Sequence, residues 1–262
     1  MNKNRTELSI IIPAYKESEI IGDKLQELAD YLKKANKIET TEVLVISNCP
    51  EATAQEAVKK AAEFKNFMVI DEKDRMGKGG AVRLGMFEAS GRYRMFMDTD
   101  LSTPLHHLET VFKKIEDGSD VVIGVRDLVK IHKGFLRKYI TKLANIGAQV
   151  LVVPGIKDTQ CGFKLFSEKA AKDIFSRQTI TGWSFDVELL AIARKLGYKI
   201  ETIDIDDWKD PKEVGLVGDN PVKIVFNEAK ELFKIRLNLW VGKYKKPNYT
   251  HTKSTKVCYP TA

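Results

Sequence analysis

The sequence predicts an α/β fold in which a single Rossmann-like, mostly parallel sheet is flanked by helices. Short runs rich in Ile, Val and Met alternate along the first half with longer stretches of helical period. That rhythm belongs to a parallel sheet with helices on both faces. Polar and glycine-rich residues follow Ile12, Ile46, Ile70 and Met97. Ligands of such sheets bind there, beyond the carboxyl ends of the strands. At 262 residues the chain falls short of two units of ~150, so one large domain is expected.

Taken in order, residues 8–12, 43–47, 67–71, 93–97 and 120–124 read as buried strands. Between them, residues 19–35, 53–64, 80–89 and 104–115 carry helical spacing. The second half is less regular. A helix is expected over 135–150, then a turn at Pro154-Gly155, followed by the segment over 158–166, to which no element is assigned. A helix over 184–195 and a strand over 199–205 follow. From Pro221 to about residue 241 runs an amphipathic helix, with its proline placed in the first turn. Residues 1–244 are expected to form the domain, and the polar, aperiodic residues 245–262 a flexible tail.

The hydrophobic fraction of 43% excludes a disordered or collagen-like chain. No window approaches the ~18 apolar residues of a membrane-spanning helix. The polar residues 1–8 run straight into a strand, so no secretory leader is expected. Cys49, Cys161 and Cys258 form neither a disulfide framework nor a zinc pattern, which fits a reducing cytosol.

The net charge of +7 is segregated. Residues 128–157 hold six Lys and Arg and no acid; residues 221–246 hold seven against two. Such stretches suit an anionic partner such as phosphate or a membrane surface, and also simply keep helices soluble. They lack the aromatic interleaving of a single-strand nucleic-acid surface, so nucleic acid is not an expected partner.

Three motifs carry chemistry. Asp98-Thr99-Asp100 closes the strand over 93–97, and two carboxylates one residue apart at a strand end can meet one hard cation and its phosphate oxygens. Such a pair also caps helices. Pro13, Ala14, Tyr15 and Glu17 close the first strand, where Tyr15 can stack on a base and Glu17 can hydrogen-bond it, or else sit at a helix start favoured by the dipole. The run from Asp74 to Ala81 lacks the spacing of a nucleotide triphosphatase loop. Its glycines still permit close approach of an anion, and Lys78 adds charge.

The ordered set IIPAYKE, GKGGAVRLG, DTD, GVR, KDTQCGFKLF and WSFDVELL resembles glycosyltransferase family 2. Within it, the dolichyl- and polyprenyl-phosphate hexose synthases are nearest, and ELFKIRLNLWVGKY points to their glucosyl branch. The resemblance spans roughly residues 7–244. It implies a GT-A fold, with residues 1–126 as the nucleotide-sugar half and 127–244 as the acceptor half. It also implies inverting, Mg²⁺- or Mn²⁺-dependent transfer from a nucleotide-sugar. By matching positions, Pro13, Ala14, Tyr15, Glu17 and Lys78 would surround the donor, and Asp98 and Asp100 would meet metal and diphosphate. Arg126 and Arg137 would handle phosphate; Asp158, Gln160 and Lys164 fall on the acceptor side; Asp186 matches the base position. Where the family carries Asp-Asp-Gly-Ser, this chain has Ile46-Ser47-Asn48-Cys49, so Asn48 offers an amide to the base edge.

The acceptor follows from nucleophile chemistry. A hydroxyl needs a base, for which Asp186 is the candidate. A phosphate monoester, with a second pKa near ~6, is already anionic and needs cationic clamping instead. The acid-free basic run favours phosphate. The expected reaction is therefore transfer of glucose from UDP-glucose to a polyprenyl phosphate. Other readings are a GDP-mannose-dependent synthase, a transferase extending a glycan hydroxyl, and a non-catalytic nucleotide-sugar binding module. On the C-terminal helix, Val222, Val225, Phe226, Ala229, Leu232, Phe233, Leu237 and Trp240 form a stripe among Lys and Arg. It suits the cytosolic face of a membrane, a membrane subunit, or the protein's own core. His106 and His107 follow the acidic motif as possible ligands or a solvent-facing helix start; Trp183 and Trp208 are sugar-wall or core candidates.

Overall fold

The computed structural model describes residues 6–47, 51–72, 74, 76–127, 152–209 and 221–249. The first half alternates as expected: β1 (Leu8–Ala14), α1 (Ile21–Lys34), β2 (Thr41–Ser47), α2 (Glu51–Val58), β3 (Asn66–Asp71), α3 (Gly77–Glu88), β4 (Tyr93–Met97), α4 (His107–Glu116) and β5 (Val121–Arg126). Then come β6 (Phe163–Ser167), α5 (Glu168–Phe175), α6 (Phe185–Lys195), β7 (Ile200–Ile205) and α7 (Pro221–Trp240). The helix expected over 135–150, with Arg137, lies outside the described residues, as do Asn48 and residues 210–220.

The strands form one sheet in the order β3-β2-β1-β4-β6-β5-β7. β1 pairs in parallel with β2 and β4, β2 with β3, and β5 with β7. β6 runs antiparallel between β4 and β5. Strands of both expected halves therefore share a single sheet.

Each central strand is apolar on both faces, as a sheet covered on two sides requires. Ile10, Ile12, Val43, Val45 and Met95 point into one layer, with Leu25, Leu28 and Leu32 of α1 and Leu108 and Val111 of α4. Ile11, Leu44, Ile46 and Phe96 point into the other, with Val82 of α3, Ile174 of α5 and Leu189 of α6. The stripe on α1 has the helical spacing that such burial demands.

Three features differ from expectation. Most of β6 falls in the segment over 158–166, to which the sequence assigned no element, and the strand keeps its register although it contains Lys164. Helix α5 was not expected at all, yet its start is signalled: Ser167 Oγ accepts the Ala170 N–H at 3.3 Å. The tail does not begin at residue 245. Tyr244 is buried, the N–H groups of Asn248 and Tyr249 donate to the Ser176 carbonyl, and Arg83 lies 4.2 Å from the Tyr249 ring centroid.

Candidate active site

The carboxyl ends of β1 and β4 meet in two tight turns. Thr99 Oγ1 donates to the Pro13 carbonyl at 3.1 Å and ties them together. Lys16 and Leu101 adopt left-handed backbone conformations, φ 58° and 51°, uncommon for residues with a side chain and concentrated at functional sites. The first turn exposes Tyr15, buries Ala14, leaves Pro13 half-buried, and holds Glu17 by a bond from its N–H to Thr53 Oγ1. In the second, Asp100 Oδ1 accepts the Ser102 N–H at 2.9 Å. Burial first, then the charges of Asp100 and Asp98, raise the Glu17 carboxyl above its ordinary value. The structure thus brings together Pro13, Ala14, Tyr15, Glu17, Asp98 and Asp100.

Lys78 joins them from the first turn of α3. Its Nζ lies 2.5 Å from Asp98 Oδ1 and 5.6 Å from the ring centroid of the exposed Trp183. Burial opposes the Lys78 charge, but Asp98 and Asp186 outweigh it and hold the ammonium above the usual lysine value. The helix can start there because Gly77 takes φ 73° and the Gly79 N–H donates to the Thr181 carbonyl at 2.9 Å.

The remaining candidates form buried pairs. Arg126 Nε and Nη2 lie 2.6 and 3.0 Å from the Asp158 carboxylate, and the guanidinium stacks 5.3 Å from the Trp208 ring centroid. Burial works against both charges; the pairing outweighs it, raising Arg126 and lowering Asp158. Gln160 donates its N–H to Asp158 Oδ1, and its side chain bonds Glu228 of α7. Lys164, fully buried, bonds Asp186 of α6 and the Cys161 carbonyl. Asp158 and Lys164 are thus each buried and held in an ion pair. Cys161 is packing: burial pushes its thiol up to about 11. Glu188 anchors the backbone, accepting Thr179 and Ile180 N–H groups and the Tyr244 hydroxyl.

A model of Glycosyl transferase family 2 matches residues 9–175. The chain belongs to that family. This family 2 transferase is 31% identical over 255 residues to the dolichyl-phosphate beta-glucosyltransferase of Homo sapiens, covering 91% of this chain and 78% of the relative. It is also 31% identical to the dolichyl-phosphate beta-glucosyltransferase ALG5D of Trichomonas vaginalis over 91% of this chain and 77% of that one. Its fold matches that of the mannosyltransferase PcManGT from Pyrobaculum calidifontis, solved with GDP-Man and Mn²⁺. That match has a TM-score of 0.56 at 15% identity, over 91% of this chain and 71% of that one.

Sequence reasoning missed two contributors to the transferase's site. Thr99 sits inside the acidic motif, and its bond to the Pro13 carbonyl is made across the sheet, which no local spacing signals. Gly162 stands in contact with Asp98: the Asp98 N–H donates to its carbonyl at 3.1 Å, and a Cβ there would overlap the Asp98 carboxylate. Gly162→Ala should therefore swing Asp98 from Lys78 and lower kcat about 10²-fold, the usual effect of a misplaced group. Steady-state kinetics at unchanged folded fraction checks this.

Proposed function

We propose that this transferase moves glucose from UDP-glucose onto the phosphate of dolichol or a related polyprenol, with inversion at the sugar, at the cytosolic face of a membrane. The observation that carries the phosphate acceptor is the buried Lys164–Asp186 pair. A hydroxyl acceptor needs a free base, and the family's base position is already bonded to a lysine inside the protein. A phosphate monoester needs none. The two relatives named dolichyl-phosphate beta-glucosyltransferase support the same donor sugar and acceptor.

In this reading Tyr15 and Glu17 receive the nucleoside, and Lys78 turns from Asp98 toward the donor diphosphate. Asp98, paired with Lys78, and Asp100 both act on Glu17, and the oxygens of these carboxylates are hard ligands that fit Mg²⁺ or Mn²⁺. Such an ion, held by Asp98 and Asp100, would supply charge neutralisation to the departing diphosphate. Arg126, fixed by Asp158, lies beside Trp208 at the carboxyl end of β5, just ahead of the basic run in the sequence. An assay of UDP-glucose, GDP-mannose and UDP-N-acetylglucosamine against polyprenyl phosphate and free polyprenol, with and without Mn²⁺, tests this. Glucosyl lipid from UDP-glucose and polyprenyl phosphate is expected. Product from GDP-mannose alone, or on the free alcohol, would overturn it.

Membrane proximity rests on α7. No helix among the described residues is long and apolar enough to cross a membrane. The stripe read from sequence is split: Leu232 faces the core beside Ile235, while Phe226, Phe233, Leu237 and Trp240 face out, Trp240 with 85% of its surface exposed. Lys230, Lys234 and Arg236 are interspersed. An aromatic face among cations suits an anionic leaflet. The same helix touches the site, since Glu231 accepts the Ser184 N–H and Glu228 bonds Gln160. Phe233→Glu with Trp240→Glu should cut cosedimentation with phosphatidylserine vesicles more than about tenfold, given the ~1.5–3 kcal/mol each buried aromatic contributes. If the unsubstituted chain fails to bind vesicles, the face belongs to a protein subunit instead.

A further inference from the structure

We propose that His106, His107 and Asp207 form a second cation site that takes a borderline transition ion of the Zn²⁺ class, separate from the all-oxygen pair Asp98 and Asp100. The proposal stands independently of donor and acceptor identity. His106 and His107 open α4, and Asp207 follows β7, a hundred residues further along the chain. His107 Nε2 lies 2.7 Å from Asp207 Oδ1 and His106 Nε2 lies 3.4 Å from Oδ2. One ligand atom from each residue falls within a 4.8 Å cluster, and no other trio of His, Cys, Asp or Glu among the described residues does so.

The donor set decides which ion fits. Two imidazoles and one carboxylate suit Zn²⁺, Co²⁺ or Ni²⁺, whereas Mg²⁺ prefers oxygens alone. Zinc bonds of ~2.0–2.1 Å in a tetrahedron put ligand atoms about 3.3 Å apart, a spacing that the two observed contacts bracket. Each imidazole can donate from Nε2 to its own oxygen of Asp207, and one ion would take both nitrogen lone pairs and the carboxylate in place of those two bonds. The half-open position leaves the fourth ligand place to water.

The location gives the ion an effect. The Lys209 N–H donates to the Ser102 carbonyl at 2.8 Å, and Ser102 is held in turn by Asp100. Trp208 lies against Arg126. An ion at Asp207 therefore clasps the segment after β7 to the start of α4 and braces the turn that carries Asp100.

The test is titration of the tag-free full chain with Zn²⁺ and Co²⁺ in millimolar Mg²⁺, read by calorimetry, the visible Co²⁺ spectrum and thermal unfolding. Saturable one-to-one binding that raises Tm is expected, with tetrahedral Co²⁺ absorption. Affinity should fall at least tenfold in His106→Gln, His107→Gln and Asp207→Asn, the least expected of a lost ligand. It should persist in Asp100→Asn. His106 has 61% of its side chain exposed, so folding of its variant is not at issue. Absence of binding by the unsubstituted chain, binding unchanged in these three variants, or binding abolished by Mg²⁺ or by Asp100→Asn would each overturn the proposal.

Discussion

Replacing Asp100 by Asn should lower kcat/KM by roughly 10²–10³-fold with Tm unchanged. The substitution separates charge from structure. Asp100 holds its turn by accepting the Ser102 N–H, and an asparagine carbonyl accepts the same bond. What disappears is one negative charge and one hard ligand beside the donor diphosphate. Raising Mn²⁺ should recover part of the loss, because a weakened ligand set shifts saturation to higher concentration. Asp98→Asn is less clean. It also strips Lys78 of its nearest counterion and leaves a largely buried ammonium facing Asp186, so both stability and rate should fall. Steady-state kinetics against Mn²⁺ concentration, with thermal unfolding of each variant, checks both statements. A rate within threefold of the parent for Asp100→Asn would remove this carboxylate from the chemistry.

The parts of the fold legible in the sequence are those with local causes. β1 to β5 and the helices between them follow from runs of Ile and Val and from spaced leucines, and nothing distant is needed to place them. β6 was not legible because Lys164 breaks its apolar run. The charge is tolerated only because α6, about twenty residues later, supplies Asp186. The cap at Ser167 is a local signal, but α5 is only eight residues long and offers little helical period to read. In the site, residues of one motif kept their grouping. Pro13 to Glu17, Asp98 and Asp100 were expected together and are found together. Roles that depend on a partner from another motif were not legible: Asp158 pairs with Arg126 and Lys164 with Asp186. Such pairs are made by the sheet order, which places β6 between β4 and β5, and no spacing along the chain announces it.

Asp186→Asn should destabilise the transferase by about 3–5 kcal/mol, because it leaves Lys164 charged inside the protein without its counterion. Burial pushes the Asp186 carboxyl up, while Lys164 and Lys78 pull it back. A removed partner therefore exposes the full desolvation cost of the one that stays. Replacing both charges together, with Lys164→Met and Asp186→Leu, should recover most of the loss, since Lys164 already lies among apolar groups such as Phe96. Urea unfolding of the two singles and the double measures this coupling. The same double variant then decides the chemistry. If Asp186 serves only to hold β6 on α6, transfer to polyprenyl phosphate should stay within about tenfold of the parent, a change of ~1.4 kcal/mol in the barrier. If Asp186 takes a proton from the acceptor, the rate should drop by the ~10²–10⁴-fold that a general base contributes, even with stability restored. The two outcomes do not overlap. A stable but inactive double variant would return Asp186 to the reacting atoms and favour a hydroxyl acceptor. A stable and active one would leave the acceptor phosphate as its own nucleophile.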